Sequence, residues 1–155
     1  MTDLGIEAAD VRGPDAVLLL PRLMRELGER YGVDGEGDFR PEDVCAPRAV
    51  FLVARLAGRP VGCGALRPMP DGAAEVKRMY VEPSSRRLGL ARVMLAHLEA
   101  AARTAGADVM IMETGTAQPE AMALYVAAGY ESIEPFGHYQ DSPRNRCYGR
   151  RLPPP

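Results

Sequence analysis

"VEPSSRRLGLARVML", residues 81–95, is the stretch on which the fold turns. Val81 closes the run "EVKRMYV", and a Pro, two Ser, two Arg and a Gly follow before a helical pattern begins. A helix start exposes unpaired backbone N–H groups and a partial positive charge, which makes it a ready site for an anion, most often phosphate. Gly89 removes a side chain that would block close approach. Arg86, Arg87 and Arg92 add forked donors around the helix mouth. Physics alone leaves a second reading open, a solvated basic turn, because arginine is common at helix starts and one glycine is a weak signal.

Working outward from this turn, three apolar runs precede it. "AVFLVARLA" (49–57) and "VGCGALRPM" (61–69) flank "GRP", and "AEVKRMYV" (74–81) follows "PDG". Short Gly-containing connections between such runs predict antiparallel hairpins in a meander. After the turn, residues 88–106 read as a helix with Ala91, Met94, Leu95, Leu98, Ala102 and Ala105 on one face and Gly106 as its stop. "ADVMIMET" (107–114) reads as a strand buried on both faces. Residues 118–129 read as a helix with Pro119 in its first turn and Gly129 at its end. "YESIEPFGHY" (130–139) and "RNRCYGRRL" (144–152) are expected as two last strands around a polar loop. Near the start, "IEAADV" (6–11) predicts a strand and residues 13–32 a helix. Asp15 is its expected cap, and Val17, Leu20, Met24, Leu27 and Tyr31 recur at helical spacing. Residues 33–47 predict a loop with one short helical turn.

The predicted order is strand, helix, three hairpin strands, helix, strand, helix, strands. It implies an α/β (α+β) fold with a mixed, mostly antiparallel sheet, in which the crossover from Val81 to Met110 makes one parallel pair. At 155 residues the chain suits one domain over 1–152, with a frayed Pro tail at 153–155. A formal net charge of −2 gives no basic footprint for nucleic acid. Lys77 is the sole lysine, an arginine bias that reads as the genome composition of a GC-rich bacterium. Three scattered cysteines and two histidines fit neither a zinc site nor a disulfide scaffold. "MTDLGIEAAD" lacks the basic and apolar regions of a signal peptide, and "AVLLLP" is too short to span a bilayer. No membrane partner and a cytoplasmic location are the default expectations.

"RRLGLA" (86–91), lying between "AEVKRMYV" and a helix, resembles the Arg/Gln-x-x-Gly-x-Gly/Ala signature of the GNAT superfamily of N-acetyltransferases. "TAQPEAMALYVAAGYESIEPFGHY" resembles the later Ala-x-x-Leu-Tyr-x-x-x-Gly-Phe/Tyr segment of the same family. The resemblance is dense over residues 48–150 and implies a sheet of about seven strands whose central strands splay apart. It implies acetyl-CoA as cosubstrate, with no metal. The cofactor's pyrophosphate is expected on backbone amides of Arg86, Arg87, Leu88, Gly89, Leu90, Ala91 and Arg92. Its pantetheine arm is expected along Met79, Tyr80 and Val81, as an added strand pairs with a sheet edge. Gln118, Ala121 and Tyr125 are expected to complete that site, although Gln118 stands where many relatives have Asn.

The implied reaction turns an amine and a thioester into an amide and a thiol. An amine with pKa of ~10 must first lose a proton, and the leaving sulfur must gain one. Tyr125 matches the family tyrosine that protonates the departing thiolate. Two candidates for the base are Glu75, on the face expected to hold Glu75, Lys77, Met79 and Val81, and Glu113 in "MET"; a water chain is the third route. The resemblance leaves the acceptor open among small-molecule, amino-acid and peptide amines. Asp34, Glu36, Asp38, Glu42 and Asp43 form an acidic stretch that could attract a cation, and Phe136, His138, Tyr139 and Arg144 could read a ring or a carboxylate. Many members are dimers, so a homodimer is carried over as an expectation. A non-catalytic acyl-CoA-binding domain on the same fold is the competing function.

Overall fold

Turn chemistry builds the first half of the sheet. In the computed structural model, which describes residues 3–32 and 40–154, Val50–Leu56 (β2) and Arg59–Pro68 (β3) pair antiparallel across the two residues Ala57 and Gly58. Both have positive φ, 50° and 80°, the conformation a two-residue hairpin turn requires. Ala74–Val81 (β4) returns alongside β3, and Leu4–Ala8 (β1) adds antiparallel to β2. β1 begins and ends earlier than the sequence suggests.

Pro14–Tyr31 (α1) precedes the meander, and Leu90–Thr104 (α2) follows it. Then come Val109–Gly115 (β5), Pro119–Ala127 (α3), Glu131–Ser132 (β6) and Asn145–Arg151 (β7). The seven strands lie in the order β1-β2-β3-β4-β5-β7-β6, and β4–β5 is the one parallel pair, joined through α2. Alternation along the strands separates two apolar layers. Leu52, Leu66, Val76, Met110 and Met112 pack against Leu95 and Leu98 of α2. Phe51, Val53, Cys63 and Ala65 pack against Ala16, Leu19 and Leu23 of α1. Truncating a wholly buried leucine such as Leu98 in such a layer costs about 2–5 kcal/mol.

Four expectations need correction. Leu20, Met24 and Leu27 of the expected α1 stripe are partly buried against the core, but the fully buried positions are Ala16, Leu19 and Leu23, and Val17 is 65% exposed. Asp15 does not cap that helix; its carboxylate pairs with Arg55. β5 is fully buried only on the face of Met110 and Met112; Val109, Ile111 and Glu113 on the other face are half-buried. The stretch predicted as a strand over 130–139 shrinks to Glu131–Ser132, since Pro135 cannot donate to a ladder.

Candidate active site

Pairing between β4 and β5 covers only Ala74–Met110, Glu75–Ile111 and Val76–Met112. Beyond that point β5 stays with β7 as far as Gly115–Asn145, while β4 stays with β3. The strands therefore part from Lys77 onward and leave one backbone edge of β4 without a strand partner. A β-bulge contributes to the divergence. The register slips between Ala65–Lys77 and Cys63–Tyr80, where Arg78 takes φ 58°. One extra residue reverses the alternation and bends the strand. Glu75 and Lys77 consequently face the α1 layer with Tyr80, whereas Met79 and Val81 face α2. The single shared face expected for Glu75, Lys77, Met79 and Val81 does not exist.

The parting opens a cleft of about 980 Å³. Met79, Tyr80, Val81, Arg86, Arg87, Gly89, Leu90, Ala91, Arg92, Glu113, Gln118, Ala121 and Tyr125, all predicted from sequence, line it. Glu75 and Leu88 do not; Leu88 points outward, 48% exposed.

At one end lies the turn into α2. Arg87 and Gly89 both have positive φ, 66° and 80°. The helical ladder begins with Val93 N–H on the Gly89 carbonyl, at 3.2 Å, so the N–H groups of Leu90, Ala91 and Arg92 precede it and have no intrahelical acceptor. Left-handed residues next to a helix start make a concavity lined with N–H groups that suits an anion. A β-carbon on Gly89 would touch nothing else in the protein, so the space above the turn is open. These features fit a pyrophosphate. Arg86 differs from its expected role. Its Nε donates to the Val81 carbonyl at 2.8 Å, its Nη2 to Glu26 at 2.7 Å, and its guanidinium lies 5.7 Å from the Tyr80 ring centroid. It braces the turn internally and leaves Arg87 and Arg92 as the exposed cations.

Tyr125 lines the cleft, 5% exposed, its ring held against Tyr130 and Tyr148 with centroids 6.2 and 5.9 Å away. Burial pushes its phenol up to about 12, so it stays protonated at neutral pH. Among the described residues nothing hydrogen-bonds its hydroxyl.

On the opposite wall a chain of charges runs from the surface inward. Arg67 pairs with Asp43 at 2.8 Å and with Glu75 at 2.9 Å. Lys77 then lies 3.6 Å from Glu75 and 3.5 Å from Glu113. Glu75, 1% exposed, is enclosed between two cations, and Glu113 is the carboxylate of the chain that reaches the cleft.

The C-terminal half of α1 lies over the gap. Glu26 holds Arg86, and Arg30 holds both Glu26, at 3.7 Å, and Glu120. Arg30 also donates to the Ala117 carbonyl at 2.8 Å. Tyr31 donates to the Gln118 side-chain oxygen, which also accepts from Thr114. Gln118 thus lines the cleft with its oxygen already committed. Sequence reasoning missed Glu26, Arg30, Arg67, Gly115 and Asn145; the i,i+4 spacing of Glu26 and Arg30 and the glycine ending β5 were the available signals. Of the acidic stretch, Asp34, Glu36 and Asp38 lie outside the described residues. Glu42 pairs with Arg12 and Asp43 with Arg67, and neither lines the cleft. His138 stacks on Tyr139 away from the lining, whereas Tyr139 and Arg144 belong to it.

Comparison with known proteins agrees with this geometry. The profile of the Acetyltransferase (GNAT) family matches residues 19–130. An IAA acetyltransferase of Azospirillum brasilense is 38% identical over 83% of this chain and 86% of its own. An uncharacterised N-acetyltransferase of Bacillus subtilis is 30% identical over 72% of this chain and 75% of its own. Among solved structures, a Klebsiella pneumoniae protein assigned as an acyl-CoA N-acyltransferase superposes with TM-score 0.80 at 29% identity, covering 96% of this chain and 97% of that one. A GNAT acetyltransferase of Elizabethkingia anophelis with acetyl-CoA bound shares the fold, with TM-score 0.71 at 15% identity over 98% of this chain and all of that one.

Proposed function

The chain belongs to the GNAT acetyltransferase family, and from that premise we propose that it carries an acetyl group to a primary amine by direct attack, with Tyr125 as general acid and Glu113 as general base. The family makes it an acetyl-CoA-dependent N-acetyltransferase. One observation carries the assignment of roles. The parting of β4 and β5 puts an anion-binding turn, a protonated phenol and the Glu113 carboxylate in a single cleft, whose other two carboxylates, Glu26 and Glu120, are tied to arginines.

Bound acetyl-CoA supplies an activated acyl group on a thiol leaving group. Backbone N–H groups of Leu90, Ala91 and Arg92 would take its pyrophosphate, with Arg87 and Arg92 adding charge. The open edge of β4 from Met79 to Val81 would pair with the amides of the arm. Glu113 receives a proton from the incoming amine, directly or through water, so that nitrogen can form the new C–N bond. As the C–S bond breaks, the Tyr125 hydroxyl gives its proton to sulfur. The raised phenol is suited to this, because it still carries its proton near pH ~10, where an ordinary amine becomes free to attack. Glu75, enclosed by Arg67 and Lys77, is assigned to holding Lys77, and Lys77 to holding Glu113.

The deciding assay follows thiol release from acetyl-CoA across a panel of primary amines, using wild type, Tyr125→Phe and Glu113→Gln. Loss of one positioned acid or base should lower kcat by about 10²–10⁴-fold. Unchanged kcat in Tyr125→Phe removes the phenol from the mechanism.

A further inference from the structure

We propose that the acceptor carries a carboxylate besides its amine, and that Arg144 and Asn145 bind that carboxylate; the inference rests on the acyl-transfer reading above. Most cations of the cleft are already neutralised or committed. Arg86 is tied to Glu26, Arg30 to Glu26 and Glu120, and Lys77 to Glu75 and Glu113, and Arg78 is engaged as well. Arg87 and Arg92 stand at the turn assigned to the pyrophosphate. Arg144 stands elsewhere, in the loop leading into β7, and lines the cleft beside Tyr31. Among the described residues no carboxylate pairs with it. Its Nη1 reaches the Tyr31 carbonyl at a long 3.4 Å, and its guanidinium carbon lies 5.8 Å from the Tyr31 ring centroid. The ring positions the guanidinium and leaves its donors available.

The next residue gives an independent sign. Asn145 also lines the cleft, and its side-chain nitrogen is buried with no hydrogen-bond acceptor among the described residues. Buried amide nitrogens are normally satisfied, and this one has only the Cys147 thiol, a weak acceptor, beside it, so a stronger acceptor is missing. A guanidinium and an amide N–H₂ are donors only, and a carboxylate is an acceptor only that fits a planar fork. Register supplies the distance to the chemistry. Asn145 pairs with Gly115, two residues along β5 from Glu113, which is about 7 Å. An amino carboxylate of small size would set its amine toward Glu113 and its carboxylate toward Asn145 and Arg144.

The test measures kcat/KM for L-phenylalanine, L-leucine and β-alanine, each against its amide and its decarboxylated amine. The amide's amine is less basic than that of the parent acid and the decarboxylated amine is more basic. A preference over both therefore cannot come from proton availability. We expect the acids to be favoured about ten- to a hundredfold in wild type, with Arg144→Gln losing most of that ratio through KM. Asn145→Asp should lose it as well, by setting a negative charge against the carboxylate. Arg144 is exposed, so an unchanged melting temperature will show that its replacement leaves the fold intact. Equal use of acids, amides and amines, or a preference that survives Arg144→Gln, overturns the inference while acyl transfer stands. Release of thiol with none of these amines overturns the inference and removes small amines as acceptors, and a rise in melting temperature with acetyl-CoA would then show that cosubstrate binding is intact.

Discussion

The Tyr31 hydroxyl donates a 2.9 Å hydrogen bond to the side-chain oxygen of Gln118, joining the last residue of α1 to the residue that precedes α3. The bond exists because Gly115 has no side chain. A β-carbon there would overlap the Tyr31 hydroxyl and ring. Gly115→Ala should therefore displace the ring and cost about 1–3 kcal/mol as an overpacked site, read as a lower midpoint in urea. Tyr31→Phe, which removes only the hydrogen bond, should cost about 1 kcal/mol. The two sites are in contact, so Gly115→Ala made in a Tyr31→Ala background should cost less than it does alone. Strict additivity would show that the ring does not rest on this glycine.

Glu75 and Glu113 flank the same lysine, and opposite signatures should separate them. Glu75 is enclosed by Arg67 and Lys77 at 2.9 and 3.6 Å and does not reach the cleft. Breaking a buried ion pair costs up to about 3–5 kcal/mol, a loss softened here because Arg67 keeps Asp43 and Lys77 keeps Glu113. Glu75→Gln should accordingly melt below wild type, while the protein that remains folded keeps most of its kcat. Glu113→Gln should reverse the pattern, with a large fall in kcat and a smaller loss of stability. A stable but inactive Glu75→Gln would move the base to Glu75.

Alternation and punctuation made most of this fold readable. The run from Ala74 to Val81, the glycine at 89 and the Ala-Leu-Tyr of α3 put the sheet, the turn and Tyr125 where the structure has them. What stayed hidden was a matter of register and tertiary contact. The bulge at Arg78 has no Gly, Asn or Asp to signal its positive φ, so counting by twos from Glu75 placed Met79 and Val81 on the wrong face. Arg86 looked like a phosphate ligand because its partner Glu26 lies sixty residues away. Val17 looked like core because a helix with Val17, Leu18, Leu19 and Leu20 in a row fits more than one apolar stripe.

At the turn, Gly89 should matter more than the arginine before it. Its φ of 80° is strained for any L residue, and its open side is where the pyrophosphate is expected. A valine there meets both obstacles, whereas Arg87→Ala removes one exposed charge, worth about 1 kcal/mol or less at a solvated site. Calorimetric titration with CoA should give a greater loss of affinity for Gly89→Val than for Arg87→Ala. In rising salt the affinity of Arg87→Ala should converge on that of wild type, as screening removes what the charge contributed. The reverse order of the two variants would assign the binding to side-chain charge instead of backbone N–H groups.

Tyr125 links catalysis to alkaline stability. Its phenol is pushed up to about 12 by burial, against about 10 in the unfolded chain. The folded state therefore holds this proton more tightly. The resulting stability is fully present below pH 10 and is lost as pH rises from about 10 to about 12. A difference of that size corresponds to roughly 2–3 kcal/mol. Tyr125→Phe, which has no proton to lose, should show a shallower fall in stability across this window. Some slope should remain, because Tyr130 is also raised by burial and by its hydrogen bond to Glu99. The same shift fixes the shape of the activity profile. With the acid protonated until about pH 12, kcat should rise with deprotonation of the amine and its base, and should show no descending limb below about pH 11 other than from unfolding. A descending limb near pH 9 in a protein still folded there, absent from Tyr125→Phe, would mean that the phenol titrates far below its buried value. In that case the bound cosubstrate, rather than the tyrosine cluster, would set its acidity.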